Sequence, residues 1–132
     1  MSRRELREQI FKLLFRIEFN TPDDMPQQLR LFFEQDEKIE DAMQEEITRK
    51  YEKIVEHLDT IDDLIRQTAT GWTMERMGKV DLTILRLAVY EMKMDDTIPV
   101  SVAINEAVEL AKKFGQDESP SFVNGVLAKF TK

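Results

Sequence analysis

The sequence predicts an all-α protein, and three observations carry that expectation. Apolar residues recur at three- and four-residue spacing through six or seven segments, and no segment shows a convincing strand pattern. Only 4 glycines and 4 prolines occur in 132 residues, too few for a many-stranded β fold. Hydrophobic residues make up 42% and charged residues 34%, which supplies one core and excludes global disorder. With no repeat, low-complexity tract or linker, residues 1–132 read as one domain.

The first helix is expected from about Arg4 to Phe19. Leu6, Ile10, Leu13, Leu14 and Ile17 form its core stripe, and Phe11, Phe15 and Phe19 form a second stripe rotated by one residue. Arg4 and Arg7 continue that second stripe toward the N-terminus. Asn20-Thr21-Pro22 ends the helix, because proline has no amide hydrogen and biases the residue before it away from helix. Pro26 suits the first turn of a short helix holding Leu29, Phe32 and Phe33. A long acidic helix follows from about Ile39 to Glu56, with Ala42, Met43, Ile47, Tyr51, Ile54 and Val55 facing inward. Asp59 or Thr60 is the expected cap of the next helix, which uses Ile61, Leu64 and Ile65. Gly71 and Gly78 bracket a short segment containing Trp72, Met74 and Met77.

From Leu82 to Met92 the chain is apolar on nearly every face, which predicts the central buried helix. Asp81 is placed to be its N-cap, with Val80 and Leu85 as a hydrophobic staple. After Ile98-Pro99 a helix carries Ala103, Ala107 and Ala111 at four-residue spacing, a ridge that permits close helix approach. Lys112 and Lys113 fall at its negative end, and Gly115 suits a left-handed residue after it. Ser119-Pro120 is read as an N-cap followed by proline at the first position of the last helix.

Several function classes are excluded. The chain has no cysteine, which removes disulfides, thiolate metal sites and cysteine nucleophiles. Its one histidine, His57, has Ile54 three residues before it, so the Glu-x-x-His signature of di-iron bundles is absent. Neither a Gly-x-Gly-x-x-Gly segment nor a P-loop occurs. No cofactor, metal site or catalysis is expected. The absence of a long uncharged apolar run argues against a membrane span, and Met1 to Glu8 make a poor signal peptide, so a cytoplasmic protein is expected.

Charge is unevenly distributed within the net −7. Residues 1–19 hold five basic and three acidic side chains, whereas residues 20–71 hold six basic and fourteen acidic. Residues 72–132 are nearly balanced, with eight basic and nine acidic. An acidic chain repels phosphate as a whole. Any nucleic-acid contact must therefore be local to a basic end or assisted by a basic partner.

Four blocks say more than periodicity does. They are residues 84–91 (Ile-Leu-Arg-Leu-Ala-Val-Tyr-Glu), residues 98–115 (from Ile98-Pro99-Val100 to Lys113-Phe114-Gly115), Ser119, and Phe122-Val123-Asn124-Gly125-Val126-Leu127. In this order and spacing they closely resemble the NusB family of bacterial transcription antitermination factors. The resemblance covers essentially the whole chain and is most specific from Val80 to Leu127. It implies an all-helical fold of two small subdomains. It also implies binding of boxA RNA together with NusE, a small-subunit ribosomal protein, in an RNA polymerase complex that suppresses premature termination. The family includes monomers and dimers, so a homodimer that occludes the RNA edge is a further expectation.

The same resemblance assigns residues. Arg3, Arg4 and Arg7 correspond to an N-terminal arginine-rich motif that lies along RNA; guanidinium groups grip phosphate bidentately and stack on bases. On the residues alone they read rather as a frayed, solvated helix start. Glu5 stands where the family commonly carries another basic residue, which bears on the affinity of the isolated protein. Phe15 matches an aromatic facing NusE, with core packing as the alternative, and Phe11 or Phe19 can equally be the buried ring. Asp81 matches an acidic residue at the NusE interface, and an N-cap role also explains it. Phe122 lies near the RNA-facing surface, where an exposed ring offers a stacking platform, though it also reads as core. Glu118 matches an acidic position close to RNA, and Arg76 and Lys79 are additional phosphate candidates. Asn105 and Glu106 are characteristic of the family and read as structural.

Two other functions compete. One is a non-catalytic helical protein-interaction module without specific RNA binding. The other is the RNA-binding domain of an RNA methyltransferase, against which the sequence shows no cofactor-binding sheet following the helices.

Overall fold

The computed structural model describes residues 1–131 except Glu37 and Trp72, so the expectation for Trp72 lies outside the described residues. Seven α-helices and short 3₁₀ turns make up the described chain, which contains no strand. The helices are α1 (Arg3–Phe15), α2 (Met25–Glu34), α3 (Asp41–Glu56), α4 (Leu58–Thr68), α5 (Lys79–Met94), α6 (Val100–Phe114) and α7 (Ser119–Ala128). They divide between two compact units, Met1–Val55 and Glu56–Lys132.

In the first unit, α1 begins one residue earlier than expected. Ser2 is its N-cap: the Glu5 amide donates to the Ser2 hydroxyl at 3.1 Å, and that hydroxyl lies 3.2 Å from the Glu5 carboxylate. Ser2-Arg3-Arg4-Glu5 is thus a capping-box sequence, and Glu5 has a local structural task. The helix also stops at Phe15 rather than Phe19, and a 3₁₀ turn carries Arg16–Phe19. The Asn20 side-chain amide donates to the Arg16 carbonyl at 2.8 Å, satisfying a terminal acceptor just before Pro22. Arg16 ties this turn to α2, donating to the Gln28 side chain at 3.1 Å and to Gln35 at 2.9 Å, with its guanidinium 5.1 Å from the centre of the Phe32 ring.

Buried side chains of this unit include Ile10, Phe11, Leu13, Leu14, Phe32, Ile47, Tyr51 and Ile54. Two residues expected to face inward do not, because Ala42 and Val55 are exposed. Helix α3 starts at Asp41, not Ile39, which is buried in the preceding turn with its carbonyl accepting from Gln44.

In the second unit, α5 is the central helix, packed against α4, α6 and α7. Nine of its residues are buried, among them Ile84, Leu85, Leu87 and Val89. Burial of each such side chain contributes roughly 1.5–3 kcal/mol. Ala103, Ala107 and Ala111 are all buried on α6, consistent with a small-residue ridge that brings helices close.

Helix ends in this unit differ from the sequence expectation. Asp59 and Thr60 are not caps; α4 begins at Leu58 and His57 precedes it without a side-chain cap. Asp81 is not the N-cap of α5 either. The helix starts three residues earlier, with extended Gly78 as the cap and Asp81 in the first turn, which also removes Val80 and Leu85 from a staple. An acid there still faces the positive end of the helix dipole.

Gly115 is extended, with φ −93° and ψ −168°, not left-handed. Space is what demands glycine: a Cβ would sit 2.6 Å from the Ser119 side chain and 2.8 Å from the Ala111 carbonyl. Ser119 occupies the first turn of α7 rather than the cap position, held by Glu118 before it, and its buried hydroxyl accepts from the Gln116 amide at 2.9 Å. The α6–α7 turn is therefore closed by one hydroxyl against one bare backbone. Gly115→Ala is expected to lower stability by about 1–3 kcal/mol, as overpacking does, read as a shift in the denaturant midpoint. An unchanged midpoint would show that the turn relaxes freely.

Candidate functional site

The assigned residues fall on two surfaces, one in each unit. In the first, Arg3 and Arg4 are exposed on the opening turn of α1, and Arg7 one turn on is half-buried. Along α1 and the 3₁₀ turn that follows it the aromatic stripe is graded: Phe11 is 3% exposed, Phe15 is half-buried, and Phe19 is 60% exposed. The rings form a continuous stack, with Phe11 and Phe15 centroids 6.1 Å apart and Phe15 and Phe19 edge-to-face at 5.1 Å. This settles which ring is core. Phe11 is, and Phe15 is supported from beneath by it. Phe19, treated in the sequence as interchangeable with its neighbours, is the ring most open to solvent.

In the second unit a groove of about 910 Å³ brings together Arg76, Lys79, Asp81, Glu118 and Phe122. Its volume lies in the roughly 300–1,000 Å³ range of ligand sites. One wall is the turn containing Arg76 and the first turn of α5; the other is the α6–α7 turn and the first turn of α7. Phe122 is half-buried, so its ring belongs neither wholly to the core nor to the surface. Arg76, Lys79 and Glu118 are exposed, and Asp81 is half-buried. Among the described residues the side chains of Arg76, Asp81 and Glu118 make no hydrogen bond or ion pair. Two cations, two carboxylates and aromatic surface therefore face one open space.

The sequence assigns no site role to Phe114 or Ser121. Phe114 also lines the groove, with the Lys113 ammonium 5.5 Å from its ring centre, and Ser121 lines it from α7. The signal for Phe114 is its position against Gly115 at the end of α6, where the missing side chain leaves room for the turn. Nothing local marks Ser121. The other positions assigned on the sequence, Asn105 and Glu106, lie on α6 outside the groove lining.

Among the described residues the protein is thus an all-helical one, with arginines on the opening turn of α1 and a mixed-charge, aromatic-lined groove in its second unit. A family model described as the NusB family matches residues 4–132. The transcription antitermination protein NusB of Lachnoclostridium phytofermentans is 50% identical over 129 residues, covering 98% of each chain. The structure of T. maritima NusB superposes with a TM-score of 0.87 at 39% identity, covering 98% of this chain and 89% of that one. A chain from a crystal structure of antitermination factors NusB and NusE in complex with dsRNA shares the fold, with a TM-score of 0.81 at 24% identity and coverage of 98% and 96%. The chain belongs to the NusB family of transcription antitermination proteins. Among the described residues, no helix is long and apolar enough to cross a membrane.

Proposed function

We propose that this protein is a non-catalytic, cytoplasmic RNA adaptor that binds boxA-type single-stranded RNA together with NusE. In this role it joins the RNA polymerase antitermination complex and supports ribosomal RNA transcription. The observation that carries the reading is the groove in which Arg76, Lys79 and Phe122 stand together. Cations hold the backbone of a single strand while an aromatic face stacks on an unpaired base, a combination that double-stranded recognition does not need. Arg3, Arg4 and Arg7 supply a second set of phosphate contacts from α1. Phe15 and Asp81 are the positions offered to NusE, a basic protein that docks favourably on a chain of net charge −7.

Glu118 opposes the phosphates. Its exposed carboxylate, without a partner among the described residues, lines the groove, so Glu118→Gln is expected to tighten RNA binding severalfold, measured by fluorescence anisotropy. Unchanged or weaker binding would count against an RNA-facing groove.

The deciding experiment titrates boxA RNA and a scrambled RNA against the protein at several salt concentrations, with and without NusE. Selective, NusE-dependent capture of boxA supports the adaptor. If both RNAs bind alike with NusE present, the protein is a helical interaction module instead.

A further inference from the structure

We infer, on the basis of the proposed function above, that Asp81 couples the two ligands: its carboxylate is an electrostatic brake on RNA in the groove, released by a cationic side chain of the docked protein. A juxtaposition carries this. Asp81 is the position offered to the protein partner, and Arg76, Lys79 and Phe122 are offered to RNA, yet all four line one groove. The partner position and the RNA positions are therefore not separated by a body of protein, and their coupling needs no conformational change.

The carboxylate is placed to act on phosphate. It sits in the first turn of α5, which has no side-chain cap because Gly78 holds the cap position. Asp81 Oδ2 lies 3.9 Å from where a Cβ on Gly78 would stand, so the carboxylate lies back toward the start of the helix. A bare helix start carries about half a positive charge and, beside Arg76 and Lys79, would attract a phosphate. Asp81 cancels that attraction, and no hydrogen bond or ion pair of its own offsets its charge among the described residues.

A partner that places a lysine or arginine against Asp81 neutralises it and returns the groove to net attraction. A neutral partner on the same surface leaves the brake on. Coupling of this kind is reciprocal, so RNA must tighten partner binding by the same factor by which the partner tightens RNA binding.

The test uses the full chain, labelled boxA RNA and NusE. Asp81→Asn is expected to tighten RNA binding by the chain alone about three- to tenfold at low ionic strength, where charges within about 10 Å are poorly screened. The factor by which NusE improves RNA binding should shrink by the same ratio. Glu118→Gln should tighten RNA binding while leaving the NusE factor as it was, because only Asp81 is neutralised by the partner. Asp81→Ser, also neutral and tolerated in a first turn, repeats the measurement, with thermal unfolding recorded for each variant. If both neutral variants stay folded and neither tightens RNA binding nor reduces the NusE factor, the brake is refuted. A wild-type chain that fails to prefer boxA over scrambled RNA with NusE present refutes the proposed function instead, so the two failures are distinguishable.

Discussion

Asp62→Ala is expected to cost the second unit about 3–5 kcal/mol of stability, the usual loss when one partner of a buried ion pair is removed. Asp62 on α4 and Arg86 on α5 pair through both oxygens: Arg86 Nε donates to Oδ1 at 2.9 Å and Nη2 to Oδ2 at 3.0 Å. Their side chains are only 12% and 11% exposed, so solvent neither screens the attraction strongly nor replaces a lost partner. The planar guanidinium matches the carboxylate in a fork that lysine cannot reproduce. Deleting the carboxylate removes both of these bonds from a guanidinium held inside the packed interface of α4 with α5. The surface pair Arg66–Asp63, 53% and 66% exposed, provides the contrast, and its loss should be within about 0.5 kcal/mol. Chemical denaturation of both variants checks the difference. Equal losses would mean that burial does not set the strength of the α4–α5 pair.

Replacing Arg3, Arg4 and Arg7 together by alanine is expected to weaken boxA binding by one to two orders of magnitude and to flatten its salt dependence. Each phosphate contact on a single strand adds roughly 0.7 to the slope of log K against log salt, so losing three removes about 2. The helical propensity of α1 is retained. Arg3 and Arg4 are exposed, alanine is the better helix former, and removing cations from a helix start relieves an unfavourable dipole interaction. The Ser2–Glu5 cap remains. Salt-series titrations with a circular-dichroism melt of the variant test this directly. Weaker binding with an unchanged slope would assign the arginines to folding rather than to phosphate.

Much of the architecture was legible because helix signals are local. The buried Ile10, Leu13 and Leu14 of α1, the apolar α5 and the alanine ridge of α6 each follow from three- and four-residue spacing, whereas Phe19 of the second α1 stripe lies on the 3₁₀ turn and is exposed. Caps were read less well. Asp59, Asp81 and Ser119 each have a capping side chain, but the helix begins before Asp59 and Asp81, and Ser119 spends its hydroxyl on the Gln116 amide. Ser2-Arg3-Arg4-Glu5 carried a correct cap signal that the arginines obscured.

The candidate site was legible only residue by residue. Arg76 to Asp81 and Glu118 to Phe122 lie some forty positions apart, and no periodicity links them. Their meeting depends on how α5, α6 and α7 pack and on a turn that Gly115 alone allows.

By itself the sequence determined which segments are helical, where the charge lies and which family the chain resembles, because these depend on neighbours within a turn or on ordered motifs. Tertiary structure alone decided that Phe11 is core while Phe19 is open, that Asp62 and Arg86 meet, and that Asp81 shares a groove with Phe122. Such outcomes follow from side-chain packing between distant segments, where a single helix rotation exchanges a buried face for an exposed one.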